Sequence, residues 1–331
     1  GKLRMLFRPG EPPLMDLDAT AADFDLTQTW RYLQIERLSP RTVAWLDAAF
    51  RAGRVPEARV LITGPTRGFP YREGQGRFQV TGRAAGVNLF YAPGWQELRG
   101  IDSTFAFDGP AMQTFASRGS IGGVTFTQAE IHSADLRDAI LAVRATARAD
   151  AGRAIRLLQA SPLAPSFGSA FADLSGAGSV SGELVMYLPI KQFEKRVVTV
   201  MATLDGVTLR HKTQPIEASG VSGQLWVRNR EIHAPSLTGR LLGGALQASI
   251  ATTTQANGNL TTQVNAQGSV QGEPLRPIAR LPVNAGLSGI ADWRGFLTVE
   301  RDADPAVPAR GTLRLSSDLR GMASKLPEPF A

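Results

Sequence analysis

VVTVMATLDGVTLR, Val197–Arg210, decides the fold. Val198, Val200, Ala202, Leu204, Val207 and Leu209 mark one face of a strand pair, punctuated by Asp205-Gly206. A period of two is the period of a strand. The pattern is the second of two copies set about 120 residues apart, the first running Ala85–Leu163 and the second Asp205–Val283. Gly86-Val87-x-Leu89 reappears as Gly206-Val207-x-Leu209, and Gly100-Ile101 as Gly220-Val221. Gly122-Gly123 reappears as Gly243-Gly244, and Gly152 and Pro162 as Gly272 and Pro282. Glycines, turn points and apolar alternation match while most other side chains do not. That is repeated backbone geometry with little repeated chemistry, and it predicts a stacked β architecture.

Composition agrees. The 331 residues are 43% hydrophobic and 20% charged, with 34 Gly and 21 Pro. This suits a turn-rich β protein of two or three units and argues against disorder. A net charge of +7 permits contact with nucleic acid or anionic lipid. The arginines are scattered, however, with no cluster denser than Lys195-Arg196, and aromatic residues make up only 7%. A nucleic-acid partner is therefore not expected. The absence of cysteine excludes disulfides, iron–sulfur clusters and thiol catalysis. No run approaches the 18 apolar residues of a membrane-spanning helix. The ends, GKLRMLFRPGEPP and KLPEPFA, read as cuts from a longer protein.

Along the chain, Leu3–Phe7 and Met15–Ala22 read as short strands. Ser39–Ala52 is the clearest helix: Ser39 caps it, Pro40 fits its first position, and Val43, Leu46 and Phe50 form its stripe. Gly53 is expected to end it. From Ala58 the period becomes two: Val60/Ile62, Phe78/Val80, Val87/Leu89/Tyr91, Phe105/Phe107, Val124/Phe126 and Leu141/Val143/Ala145. Ala151–Ala160 and Pro165–Leu174 read as short helices. The second unit brings Glu183–Ile190, Val197–Leu209, Gln224–Val227, Ile232–Leu237, Ala245–Thr253 and Asn259–Ala266, then a weaker helix at Gly272–Leu281. Asn257-Gly258 is a hairpin signal. A third unit opens at Gly286 with Phe296–Val299 and Thr312–Leu315. The expected division is residues 1–84, a helix-containing β segment; 85–175 and 176–285, two repeats; and 286–331, the start of a third.

Chemistry is nearly absent. His132, His211 and His233 lie on separate strands without metal-like spacing, and no nucleophile elbow, phosphate loop or zinc motif is present. Gly119–Gly123 lies between strands and reads as a turn. Asp135 and Asp138 sit three apart in a loop and make a poor acid–base pair. No cofactor and no metal are expected, and the chain does not read as an enzyme.

The stretch WRYLQIERLSPRTVAWLDAAFRAGRVPEARVLITGPTRGFPYREGQGRFQVTGRAAGVNLFYAPGWQELRGID, Trp30–Asp102, resembles the central region of the YhdP-type AsmA-like proteins of Gram-negative envelopes, in the TamB/AsmA superfamily. Gln34 stands where that family has Pro, and Gly94-Trp95-Gln96 where it has Trp-Pro. GELVMYLPI (Gly182–Ile190), GRLLGGALQASI (Gly239–Ile250) and SDLRGMASKLPEPF (Ser317–Phe330) are similar to later blocks in the same order. The resemblance implies a mainly β fold: repeated antiparallel meander units forming an elongated curled sheet, an open taco-like groove with a few short capping helices. It implies the periplasmic portion of an inner-membrane-anchored protein that conducts glycerophospholipid between inner and outer membranes. Its partners would be phospholipid acyl chains, membranes reached through other parts of the parent protein, and envelope proteins.

The bottom-up expectation for such a groove is a diffuse wall made by every second residue. The inward residues are expected to be Phe105, Phe107, Val124, Phe126, Leu184, Met186, Val198, Val200, Leu225, Val227, Leu246 and Ile250. Two other readings stay open: the same residues packing on one another as a β-sandwich core, and an envelope scaffold that binds a partner protein by strand addition.

Overall fold

The computed structural model describes residues 1–31, 40–138, 140–162, 164, 172–214, 216–274, 286–304 and 307–324. They fall into two compact units, Gly1–Ala147 with Leu184–Val198, and Arg148–Glu183 with Thr199–Ala331. Unit 1 carries β1 (Lys2–Leu6), β2 (Leu14–Asp25), α1 (Pro40–Ala49), β3 (Phe50–Pro65), β4 (Arg77–Leu89), β5 (Leu98–Asp108), β6 (Ala111–Ile121), β7 (Val124–Ser133) and most of β8 (Ile140–Asp150). Each strand from β1 to β7 pairs antiparallel with the next.

Unit 2 carries α2 (Ala151–Gln159), the first part of β9 (Leu174–Pro189), most of β10 (Val197–His211), β11 (Glu217–Arg228), β12 (Glu231–Leu241), β13 (Gly244–Thr254), β14 (Leu260–Gln271), β15 (Ser288–Arg301), β16 (Arg310–Ser316) and β17 (Met322–Ala323). From β10 to β16 each strand again pairs antiparallel with the next. The fold is mainly β, an antiparallel meander that does not close: β1 is bonded to β2 at one end, and β16 to β15 at the other.

A shift of 120 residues lays β4–β8 on β10–β14, with β6 and β12 matching end to end (111–121 and 231–241). Gly86 and Gly206 share φ of 63° and 61°, and Gly100 and Gly220 share 61° and 60°. The tight β6–β7 and β12–β13 hairpins need two consecutive left-handed residues. Gly122-Gly123 supply them in the first (φ 57° and 82°) and Leu242-Gly243 in the second (φ 52° and 79°). The sequence match of Gly122-Gly123 to Gly243-Gly244 is therefore one residue out of phase. Gly244 is already in β13, opposite Leu241.

Two further expectations are corrected. The helix ends at Ala49, because Phe50, Ala52 and Arg54 pair with Leu89, Asn88 and Ala85 as the start of β3; Ser39 lies outside the described residues. Gly53 does not cap the helix. It sits in β3 at φ 130°, where an added Cβ would lie 2.9 Å from Val87 Cα, so glycine is there for the close approach of β4. The reading also passes over β6 entirely. The Pro165–Leu174 helix lies mostly outside the described residues, and Leu174 itself opens β9. Of Gly272–Leu281, only 272–274 are described, and they are helical.

The strands of unit 1 do not alternate from end to end. Ala84 and Val87 are buried with Ala85 and Gly86 exposed between them. Val55/Ala58, Ala116/Gly119 and Phe126/Ala129 repeat that buried–exposed–exposed–buried step on β3, β6 and β7. Each step puts two successive residues outward and so inverts the parity of the strand; the register slips with it from β3 to β4, β4 to β5 and β5 to β6, while β6 and β7 carry it side by side without a slip. The steps lie in register: Ala116 pairs with Ala129 and Gly119 with Phe126. On β4 and β5 the register slips between Ala84/Ser103 and Val87/Ile101. The inner face stays apolar on both sides because the sequence changes phase with the backbone.

Candidate functional site: the apolar inner faces

Register fixes which residues share a face. In unit 1, Val60 pairs with Val80, Val80 with Phe107, and Phe107 with Met112. One step along, Ala58 pairs with Gly82, Gly82 with Phe105, Phe105 with Thr114, and Thr114 with Ile131. Beyond the bulges, Phe126 packs with Ala116 and Ala129 against Leu98 and Ile101. In unit 2, Val200 pairs with Val227 and Ala202 with Leu225. A row then runs across four strands, Ala234–Ile250–Val264–Leu297, to Leu313 on β16.

Of the twelve expected wall residues, Phe105, Phe107, Val124 and Phe126 come together on the inner face of unit 1. Val200, Leu225, Val227, Leu246 and Ile250 come together on one face of unit 2. Leu184 and Met186 are half-buried and alternate with exposed Val185 and Tyr187; Val198 is half-buried at the start of β10. The expectation omits Val80, Met112, Ile131, Val264, Leu297 and Leu313, which belong to the same rows. Val80 and Leu297 sat in recognised strands, and the apolar period alone was signal enough. Met112 was hidden with the unrecognised β6, and Ile131 lies on β7 past the step at Phe126–Ala129, out of phase with Val124 and Phe126.

Burial separates a sealed part from an open one. Eleven of the twelve residues are half-buried, and Phe126, at 7% exposure, is buried. The sealed clusters are made of small side chains: Val55, Ala58, Ala84 and Val87 in unit 1, and Ala151, Val207 and Val221 in unit 2. Among the described residues, the largest side chains with almost no solvent contact are Val207 and Ser133, at 2% and 1% exposure. Large apolar groups on the inner faces keep solvent contact, up to 61% exposure at Leu313. A sandwich core seals such residues between two sheets.

Side chains also reach over strand ends. In unit 2, Arg230 in the β11–β12 turn donates to the carbonyls of Asp302 and Ala303 at 2.8 and 3.0 Å. Arg301 Nη2 returns a bond to the Arg230 carbonyl at 2.8 Å. In a flat sheet β12 and β15 lie about 14 Å apart, three strand spacings. Contact across that span requires the sheet of unit 2 to curl. Burial and the neighbouring Arg230 cation push the Arg301 pKa down.

Among the described residues there is no group of three His, Asp or Glu placed to hold a metal. His132, His211 and His233 sit apart on β7, β10 and β12. Asp135 pairs with Arg72, whose hydrogen bonds hold its carboxyl far below the usual range, with the Arg137 N–H second. No helix of the described residues is long and apolar enough to cross a membrane.

The described strands form an antiparallel meander that does not close, with rows of apolar side chains running from strand to strand on one face of each unit. The chain belongs to the YhdP family: the model described as "YhdP protein" matches residues 1–331. It is 24% identical to the Intermembrane phospholipid transporter YhdP of Escherichia coli (strain K12) over 338 residues, covering all of this chain and 26% of that protein. The chain thus spans about a quarter of the curated relative's length. No solved structure matches it.

Proposed function

We propose that this chain is a stretch of hydrophobic trough that binds acyl chains and conducts glycerophospholipid between the inner and outer membranes. One observation carries the reading: rows of large apolar side chains run from strand to strand on an open face and stay half exposed. Exposing an acyl chain to water costs about 0.8 kcal/mol per CH₂, so a carrier needs apolar contact along the whole path. The wall is Phe105, Phe107, Val124, Phe126, Leu184, Met186, Val198, Val200, Leu225, Val227, Leu246 and Ile250, joined by the neighbours in their rows. Membership of the YhdP family, and a relative named as an intermembrane phospholipid transporter, support lipid as the cargo. Neither supports an enzyme.

In this reading residues 1–84 open the trough, 85–175 and 176–285 are its two repeats, and 286–331 begin another. The trough lies in the periplasm, and parts of the parent protein outside this chain anchor it in the inner membrane. The test is to purify the chain from cells, extract it with organic solvent and quantify phospholipid. Near-stoichiometric lipid is expected. A clean extract would overturn the reading in favour of a protein-binding scaffold.

A further inference from the structure

The β3–β4 loop, residues 66–76, is unlike its neighbour. The β5–β6 connection is only Gly109-Pro110, whereas residues 66–76 fold back over the inner face. The Phe69 ring meets that of Phe78 edge-on, with centroids 4.7 Å apart. The Tyr71 ring lies over Gly64 and Gly76, where an added Cβ would come within 3.2 and 2.8 Å of it. Gly64, Gly76 and Phe78 continue the inner-face parity of Ile62 and Val80. Two aromatic rings of the loop therefore cover the end of the apolar row.

The far side of the loop is tied down. Arg72 Nε and Nη2 donate to Asp135 Oδ2 and Oδ1 at 2.8 and 3.0 Å, a bidentate pair that joins the β3–β4 loop to the segment between β7 and β8. The Arg137 N–H donates to Asp135 Oδ1 at 2.7 Å, and Lys191 Nζ donates to the Arg137 carbonyl. The closed position also carries costs. Tyr71 holds φ of 64°, left-handed for a residue with a side chain. It is 5% exposed, and its hydroxyl is buried with no hydrogen-bond partner. Water would satisfy the hydroxyl if the loop swings out, and a loop freed from the sheet can relax the Tyr71 backbone. The Arg72–Asp135 pair opposes that opening, together with the burial of the Tyr71 ring and the Phe69–Phe78 contact.

We propose that residues 66–76 are a lid latched by Arg72–Asp135, and that Phe69 and Tyr71 take the place on the inner face that an acyl chain occupies once the lid opens. The proposal rests on the acyl-groove reading above. It makes access to the trough at this point a regulated step.

The chain lacks cysteine, so Arg72→Cys with Asp135→Cys accepts a cleavable bismaleimide tether without background labelling. The probe is a vesicle of phosphatidylethanolamine and phosphatidylglycerol containing a phospholipid with a photoreactive acyl chain. Lipid captured at the peptide containing Phe78 is followed by mass spectrometry. Asp135→Asn and Arg72→Gln are expected to speed capture roughly three- to tenfold, the effect of losing one well-formed ion pair. The tethered protein should capture none at Phe78 until the tether is cleaved. Tyr71→Phe, which removes only the orphan hydroxyl, should slow capture. Equal capture at Phe78 by parent, latch variants and tethered protein, with lipid found elsewhere on the chain, overturns the lid. No capture anywhere, by the parent or any variant, overturns the groove reading itself. If a latch variant fails to fold, the tethered and released states decide alone.

Discussion

β4–β8 and β10–β14 share strand bounds and glycine conformations but are held by different side chains. In the first copy the Gly86 N–H donates to Asp102 Oδ1 at 2.9 Å, and Arg118 Nε holds the other carboxylate oxygen at 2.5 Å. In the second the Gly206 N–H donates to Ser222 Oγ at 3.1 Å, and a hydroxyl does the work of an ion pair. The copies also part company along the sheet. In unit 1 the step of two outward residues continues through β7, whereas β13 has none, and β13, β14 and β15 of unit 2 pair without a slip from Leu246/Gly268 to Thr254/Leu260 and from Leu260/Arg301 to Gln271/Ile290. Backbone geometry is the shared part, and what clamps it is free to differ.

The largest effect should separate sealed from open positions within unit 2. Val207→Asp puts a charge where exposure is 2%, and is expected to cost about 4 kcal/mol or more, enough to unfold the unit. Val200→Asp, on the half-buried face, should cost about 1 kcal/mol and leave a folded protein that no longer retains lipid. Urea melts with paired lipid extraction check both, and equal losses would mean that the inner face is sealed after all. Phe126→Glu belongs with Val207, because Phe126 is buried.

Next comes the test of the shared backbone. Nothing lies within 4 Å of a Cβ built on Gly86 or Gly206, so alanine at either meets only the left-handed penalty. Each substitution should cost about 1 kcal/mol. A difference of more than about twofold between them would break the equivalence of the copies.

A smaller effect should sharpen the difference in clamping. Asp102→Ala is expected to cost about 1.5 kcal/mol, and Ser222→Ala about 0.5–1, as charged and neutral hydrogen bonds do. The Asp102 pKa is lowered, first by the Gly86 N–H and then by Arg118, against the cost of burial. A depressed carboxylate contributes stability above its unfolded pKa of about 3.9 and loses it as pH falls through the folded value. The gap between Asp102→Ala and the parent should therefore hold from pH 8 to 5 and close only in more acid solution. That of Ser222→Ala should not move with pH.

The smallest effect concerns the hairpin. Leu242 occupies a left-handed position that Gly122 fills in the first copy. Leu242→Gly should stabilise by a few tenths of a kcal/mol, the relief of strain being offset by a more flexible unfolded chain. Thermal melts that show a loss would mean that the Leu242 side chain holds the turn in place.

The strand class and the matched glycine positions were legible because period-two alternation and glycine position are backbone statements. Val60/Ile62, Phe105/Phe107 and Val124/Phe126 each fell on strands as read. β6 was missed because AMQTFASRGSI shows its apolar residues on both sides of a bulge, so no single phase fits it. The end of α1 was misread for a related reason. Phe50 continues the helical stripe, but its partner Leu89 lies 39 positions away and claims it for the sheet. Clamps such as Asp102 and the Arg72–Asp135 latch leave no local pattern at all, since only the meander brings those residues together.

The aligned outward steps of unit 1 have a mechanical consequence. A pleated sheet is stiff along its strands, but a line on which β3, β4, β6 and β7 each place two residues outward is a crease. Bending concentrates there, so the opening between the two halves of each strand is set by one fold line and not by the volume of whatever lies inside. Residues on the crease, among them Gly86 and Arg118, would then govern compliance. Substituting them should change how widely the sheet breathes before it changes how strongly anything adheres to its surface.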